Sequence, residues 1–139
     1  MLERLWRMKF IDANIFLEVL LRQKRTEKCK AYLGRVRTGE VTALTTDFIV
    51  DTICIIMDDA GCKPAQLRKF QLSLLKYEGL TIYDLTMADR VAATKQMEKH
   101  NLDFDDATVY AAMTITGTRE LVSMDRKFDK IEGITRIEP

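Results

Sequence analysis

The sequence predicts an α/β fold, with a mostly parallel sheet of four to five strands and helices on both faces. Three observations carry this. Short apolar runs alternate with longer segments whose apolar residues recur at three- and four-residue steps. Gly, Thr, Asp and Pro punctuate the joins. The chain has 139 residues, 47% of them hydrophobic, which is enough for one ordinary domain with a real core. Strands alternating with helices need crossover connections, and these favour parallel pairing and a right-handed path.

The elements follow in order. Residues 8–11 form the first strand, and Asp12 and Asn14 come directly after it. A helix from Ile15 to about Leu21 leads to the basic break Arg22-Gln-Lys-Arg25. Thr26 caps a second helix, which carries Cys29, Tyr32, Leu33 and Val36 on one face and ends at Gly39. Val41 to Leu44 is the second strand. Thr45-Thr46-Asp47 opens a third helix, with Phe48, Ile49, Thr52, Ile53, Ile56 and Met57 at helical steps and Gly61 closing it. Pro64, at a first-turn position, starts a fourth helix that runs through Leu67, Phe70 and Leu74 to near Gly79.

Leu80 to Asp84 is the third strand. Thr86-Met-Ala-Asp89 has the form of a capping box, opening a helix to about His100. Phe104 to Thr116 is a further helix, stopped by Gly117. Leu121 to Ser123 is the fourth strand, and Ile134 to Ile137 the candidate fifth. The sequence holds no internal repeat, low-complexity segment or linker, so residues 1–139 read as a single domain. Residues 1–7 are expected to be a flexible N-terminal extension, with Met8 as an alternative start.

Composition narrows the function. The 22 basic and 21 acidic residues leave a net charge of +1, so nucleic-acid binding must rest on a local basic patch. No apolar run approaches the ~18 residues of a membrane span. The N-terminus lacks the apolar core of a signal peptide, so a cytoplasmic location is expected. Cys29, Cys54 and Cys62 have no CxxC spacing and suit a reducing compartment. His100 is the only histidine, which argues against a His-based metal site or a catalytic triad. It is expected at a helix C-terminus as a dipole partner or surface residue. A metal here would be held by oxygen.

Three acidic sites fall at comparable places: Asp12 after the first strand, Asp105-Asp106 at a helix start, and Asp125 just past the fourth strand. In a parallel sheet these points open on one edge. Carboxylates crowded there repel one another by several kcal/mol in total, and a divalent cation offsets that repulsion. Such sites usually act on phosphates. Each acid alone also suits a helix cap or a turn.

Four segments together resemble the PIN-domain family of metal-dependent ribonucleases, in particular the toxin of VapBC-type toxin–antitoxin pairs. They are Phe10-Ile-Asp12-Ala-Asn14-Ile-Phe16, Thr45-Thr-Asp-Phe-Ile-Val-Asp-Thr52, Leu102-Asp-Phe104-Asp-Asp106-Ala107 and Leu121-Val-Ser123-Met-Asp125-Arg-Lys-Phe128-Asp129. The resemblance runs from about residue 8 to the end. It implies a three-layer α/β/α Rossmann-like PIN fold, Mg²⁺ or Mn²⁺ dependence and hydrolysis of RNA phosphodiester bonds. It also implies a homodimer and a small antitoxin partner whose tail occupies the acidic cleft. Asp12, Asp106 and Asp125 match the family's catalytic, metal-binding carboxylates. Asn14 and Ser123 match the polar residues that orient them, Asp129 is a further supporting residue, and Phe104 and Phe128 match packing positions.

One position departs. The family usually has Glu on the third helix where Thr52 stands here, and Asp51, one residue earlier, is rotated about 100° from it. Losing that carboxylate weakens a metal site. A second reading is therefore a PIN-like domain that has weakened catalysis and binds RNA or protein. A phosphoacceptor receiver domain has similar size but needs an acidic pair after its first strand, which is missing. Arg126, Lys127 and Lys130 beside Asp125 form the basic cluster nearest the site and are candidate RNA-backbone contacts.

Overall fold

A computed structural model describes residues 8–139, and the expected extension over residues 1–7 lies outside the described residues. Five strands form one sheet: β1 (Lys9–Ile11), β2 (Ala43–Thr46), β3 (Leu80–Tyr83), β4 (Glu120–Val122) and β5 (Thr135–Ile137). Their order is β3-β2-β1-β4-β5 and every pairing is parallel. In register, Lys9 faces Glu120, Phe10 faces Leu121 and Ile11 faces Val122. Central strands of a parallel sheet are covered on both faces, so they read as unbroken apolar runs. Phe10, Ile11, Leu44, Leu121 and Val122 are all fully buried.

Six helices connect the strands: α1 (Ala13–Leu20), α2 (Thr26–Arg37), α3 (Asp47–Asp59), α4 (Pro64–Leu74), α5 (Met87–His100) and α6 (Phe104–Thr116). α1 packs on α2 and α3, α3 packs on α4, and α5 pairs with α6. Right-handed crossovers put α1 to α4 on one face and α5 with α6 on the other, giving three layers. Among the described residues, no helix is long and apolar enough to cross a membrane.

Local chemistry sets the boundaries. Thr46 closes β2 and caps α3, its hydroxyl accepting the Ile49 N–H at 3.1 Å. The strand therefore extends two residues beyond the expected Leu44. The capping box is present: Thr86 Oγ accepts from the Asp89 N–H at 3.1 Å, and Asp89 Oδ2 accepts from the Thr86 N–H at 2.9 Å. α1 starts at Ala13 rather than Ile15, because Asp12 serves as its N-cap. α4 ends at Leu74, short of the expected Gly79. The segment between is drawn onto α2, with Glu78 N–H donating to Arg37 O and Gly79 N–H to Val36 O. Gly79 has no room for a side chain there, since a Cβ would lie 2.2 Å from the Val41 carbonyl oxygen. One element was not foreseen: a 3₁₀ turn, Arg126–Lys130, between β4 and β5.

Candidate metal centre

β1 and β4 lie side by side, and the chain departs from them toward opposite ends of the sheet. A crevice opens outside their carboxyl ends, the place where open α/β sheets bind ligands. Asp12 is the residue after β1. As N-cap of α1, its Oδ1 accepts from the Ala13 N–H at 2.8 Å. Ser123 is the residue after β4 and is fully buried. Its hydroxyl donates to Asp12 Oδ2 at 2.8 Å and accepts from Asn14 Nδ2 at 3.1 Å and the Asp125 N–H at 3.0 Å. One donor and two acceptor sites are all a hydroxyl has, so Ser123 is saturated. Asn14 closes the network: Nδ2 lies 3.4 Å from Asp12 Oδ2, and Oδ1 accepts from the Met124 N–H at 3.5 Å.

Asp106 arrives from the first turn of α6, where the helix dipole favours an anion. The 3₁₀ turn supplies Lys127, whose Nζ is 2.7 Å from Asp106 Oδ2 and 3.2 Å from Asp125 Oδ2. The Lys127 N–H also donates to Asp125 Oδ1 at 3.1 Å. Two carboxylates thus share one ammonium, and Asp12, the third, has none.

The electrostatics follow from that surplus. Burial pushes the Asp12 carboxyl from 3.8 up to about 6. The Ser123 hydroxyl and Ala13 N–H oppose the rise, while the charges of Asp106 and Asp125 add to it. Among the described residues no basic side chain pairs with Asp12. Burial raises Asp106 as well, opposed by Lys127. Asp106, then Asp125, hold Lys127 above the ordinary lysine range. A hard divalent cation with oxygen ligands fits this donor set, because it would neutralise a buried carboxylate that has no counter-ion.

The other expected residues fall into place as follows. Thr52 lines a cavity of about 30 Å³ together with Asp12, Asp105 and Asp106. Asp51 is exposed and does not line it. Asp129 is exposed and away from the carboxylates, yet it holds Arg136 at 2.7 Å, and Arg136 Nη1 donates to the Ser123 carbonyl at 3.0 Å. Arg126 and Lys130 are exposed, whereas the Lys127 ammonium is engaged in the centre itself. Phe128 is fully buried, and Phe104 meets Phe48 edge-on at 5.8 Å.

Sequence reasoning missed Arg136 and the counter-ion role of Lys127. It also passed over Asp103. Among the described residues, Asp103, Asp105 and Asp106 are the group whose carboxylate oxygens lie within 4.8 Å of one another. Asp12, Asp106 and Asp125 meet more loosely, through Ser123 and Lys127. The i, i+2, i+3 spacing across a helix start was the available signal for Asp103.

A family model described as PIN domain matches residues 9–134. Among solved structures, the VapC20 toxin of Mycobacterium tuberculosis, described as cleaving the sarcin–ricin loop, superposes with a TM-score of 0.75 at 16% identity, covering 94% of this chain and 98% of that one. VapBC2 from Rickettsia felis, bound to a DNA fragment from its promoter, gives 0.70 at 13% identity, covering 94% and 98%. A toxin–antitoxin complex from Klebsiella pneumoniae gives 0.68 at 14%, covering 91% and 95%. At these identities the likeness is one of fold. No curated protein matches the sequence.

Proposed function

Because this chain belongs to the PIN-domain family, matched over residues 9–134, we infer that it is a metal-dependent endoribonuclease acting as the toxin of a toxin–antitoxin pair. One observation carries the reading: the carboxylates of Asp12, Asp106 and Asp125 gather at the carboxyl edge between β1 and β4 with a single ammonium among them. Those three residues would hold Mg²⁺ or Mn²⁺. The ion, when bound, supplies charge neutralisation at the phosphoryl group and a more acidic water.

The chain's own residues do the rest. Ser123 and Asn14 fix the orientation of Asp12, and Arg136 with Asp129 pins the backbone that carries Ser123. Arg126 and Lys130 stand exposed beside Asp125, where they can neutralise RNA phosphates. The solved toxin–antitoxin complexes of similar fold support an antitoxin as protein partner. A homodimer and a cytoplasmic setting complete the proposal. The test is cleavage of RNA by purified protein with Mn²⁺, with excess chelator, and with Asp12→Asn. Activity that needs Mn²⁺ and Asp12 supports the reading. Equal activity in all three sinks it.

A specific observation favours a second reading. The cavity beside Asp12 is lined by Thr52 where a fourth carboxylate would complete the centre. A domain that binds RNA or protein with little catalysis would show RNA binding without Mn²⁺-dependent cleavage.

A further inference from the structure

Asp106 and Lys127 also form one wall of a second cavity, of about 280 Å³, between the α5–α6 turn and the 3₁₀ turn. Its other polar walls are His100, Asn101, Asp103 and Lys130. These groups have hydrogen-bonding capacity to spare. Asp103 stands at the N-cap of α6 but makes no capping bond. Asn101 adopts the left-handed conformation, with φ of +53°, and its side-chain amide bonds to nothing among the described residues. Lys130 forms no ion pair among them. His100 Nε2 is enclosed without a partner, and its ring rests on Tyr110 at a centroid distance of 4.8 Å. Asn101, Asp103 and Lys130 are exposed at its mouth, and His100 Nε2 is the buried one of these groups. A buried polar atom left unpaired is unfavourable, so the enclosed imidazole nitrogen beside a polar-walled cavity points to a ligand that fills it.

We propose that this cavity is a nucleotide subsite, which seats the RNA residue next to the phosphate that a cation at Asp12, Asp106 and Asp125 would hold. The assignment rests on the ribonuclease reading for its substrate, though not for its binding test. Lys130 meets the nucleotide's phosphate as a point charge. The amide of Asn101 and the carboxylate of Asp103 meet the polar edge of the base, and the His100 ring, backed by Tyr110, gives it an aromatic surface. Lys127 and Asp106 are shared with the metal centre, so occupancy here fixes where the chain of phosphates crosses that centre. His100 and Asn101 are on this view specificity-determining, and the reaction takes RNA with a preferred base at that one position.

The single histidine makes the test direct. The His100 imidazole signals are followed by proton NMR in metal-free protein while each of the four nucleoside 5′-monophosphates is added, with inorganic phosphate as control. The expected result is a saturable shift for nucleotides, stronger for one base than another, and weakened roughly three- to tenfold in Lys130→Ala. Asn101→Gly, which keeps the left-handed backbone free of strain, should flatten the base preference while the thermal unfolding midpoint stays near that of the wild type. No shift at millimolar nucleotide overturns the proposal, and so does an equal response to inorganic phosphate. Because no metal or turnover is involved, a protein that cleaves RNA without these shifts refutes the subsite alone. A protein that shows the shifts but never cleaves refutes the ribonuclease reading alone.

Discussion

The Lys127 ammonium lies 2.7 Å from Asp106, whose side chain is only 10% exposed, and so puts an internal cation into the acidic cleft. A divalent ion entering the cleft has to share or displace that charge. Lys127→Met should therefore tighten Mn²⁺ binding measured by calorimetry. It should also lower the unfolding free energy in chelator, by about 1–2 kcal/mol, because Asp106 and Asp125 lose their partner. Unchanged Mn²⁺ affinity would mean the ammonium does not compete.

Asp12 sets the pH dependence of the metal-free protein. Its folded pKa is raised from 3.8 to about 6, so the native state binds the proton more tightly than the unfolded chain. Stability from this group is full below about pH 4 and falls as pH rises toward 6, by up to about 3 kcal/mol. The raised pKa of Asp106 acts in the same direction. Asp89 is held low by the Thr86 N–H and the Tyr83 hydroxyl, so its opposite contribution falls below pH 4. Urea unfolding of wild type and Asp12→Asn in chelator, from pH 4 to 7, checks this. The variant should lose less stability across the window, and saturating Mn²⁺ should restore the wild type at pH 7.

Ser123→Ala removes one hydroxyl but three hydrogen bonds. It orphans the Asp125 N–H and deprives Asp12 of the donor that most opposes its raised pKa. A loss of about 1–3 kcal/mol is expected in denaturant titration, with weaker metal binding. Stability within error of the wild type would show that water replaces the hydroxyl at no penalty.

Thr52→Glu adds a carboxylate to a cavity already lined by Asp12 and Asp106. Cation affinity should rise by about 1 kcal/mol or more, with RNA cleavage rising in parallel and metal-free stability falling. Asp51→Asn, on the exposed face, should leave all three unchanged. If Asp51→Asn abolishes Mn²⁺ binding and Thr52→Glu does nothing, the third helix contributes through the other residue.

Much of this was legible in the sequence because it is local. The apolar runs ending at Ile11 and Val122, the Thr46 and Thr86 caps and the helical phase separating Asp51 from Thr52 depend on neighbours a few residues away. What escaped depends on distant pairing. The charge of Lys127 suggested an RNA contact, and only the 3₁₀ turn aims it inward at Asp106. Arg136 looked like a strand residue, and its bond to the Ser123 carbonyl needs β5 beside β4. His100 was read as a dipole partner or surface group at a helix C-terminus; it does end α5, but its Nε2 is enclosed beside a cavity lined by the chain that returns after β4.

The bond from Ser123 to Asp12 joins residues 111 positions apart. β1 also waits for β4, which is made more than a hundred residues later, to become a central strand. During synthesis the N-terminal part emerges first, and its Asp12 has neither Ser123 nor Asp106 to work with. The acidic centre therefore comes into being only after β4 and Ser123 have been made and have docked beside β1. A nascent chain tethered to a ribosome, surrounded by RNA, carries the pieces of the centre but not the centre.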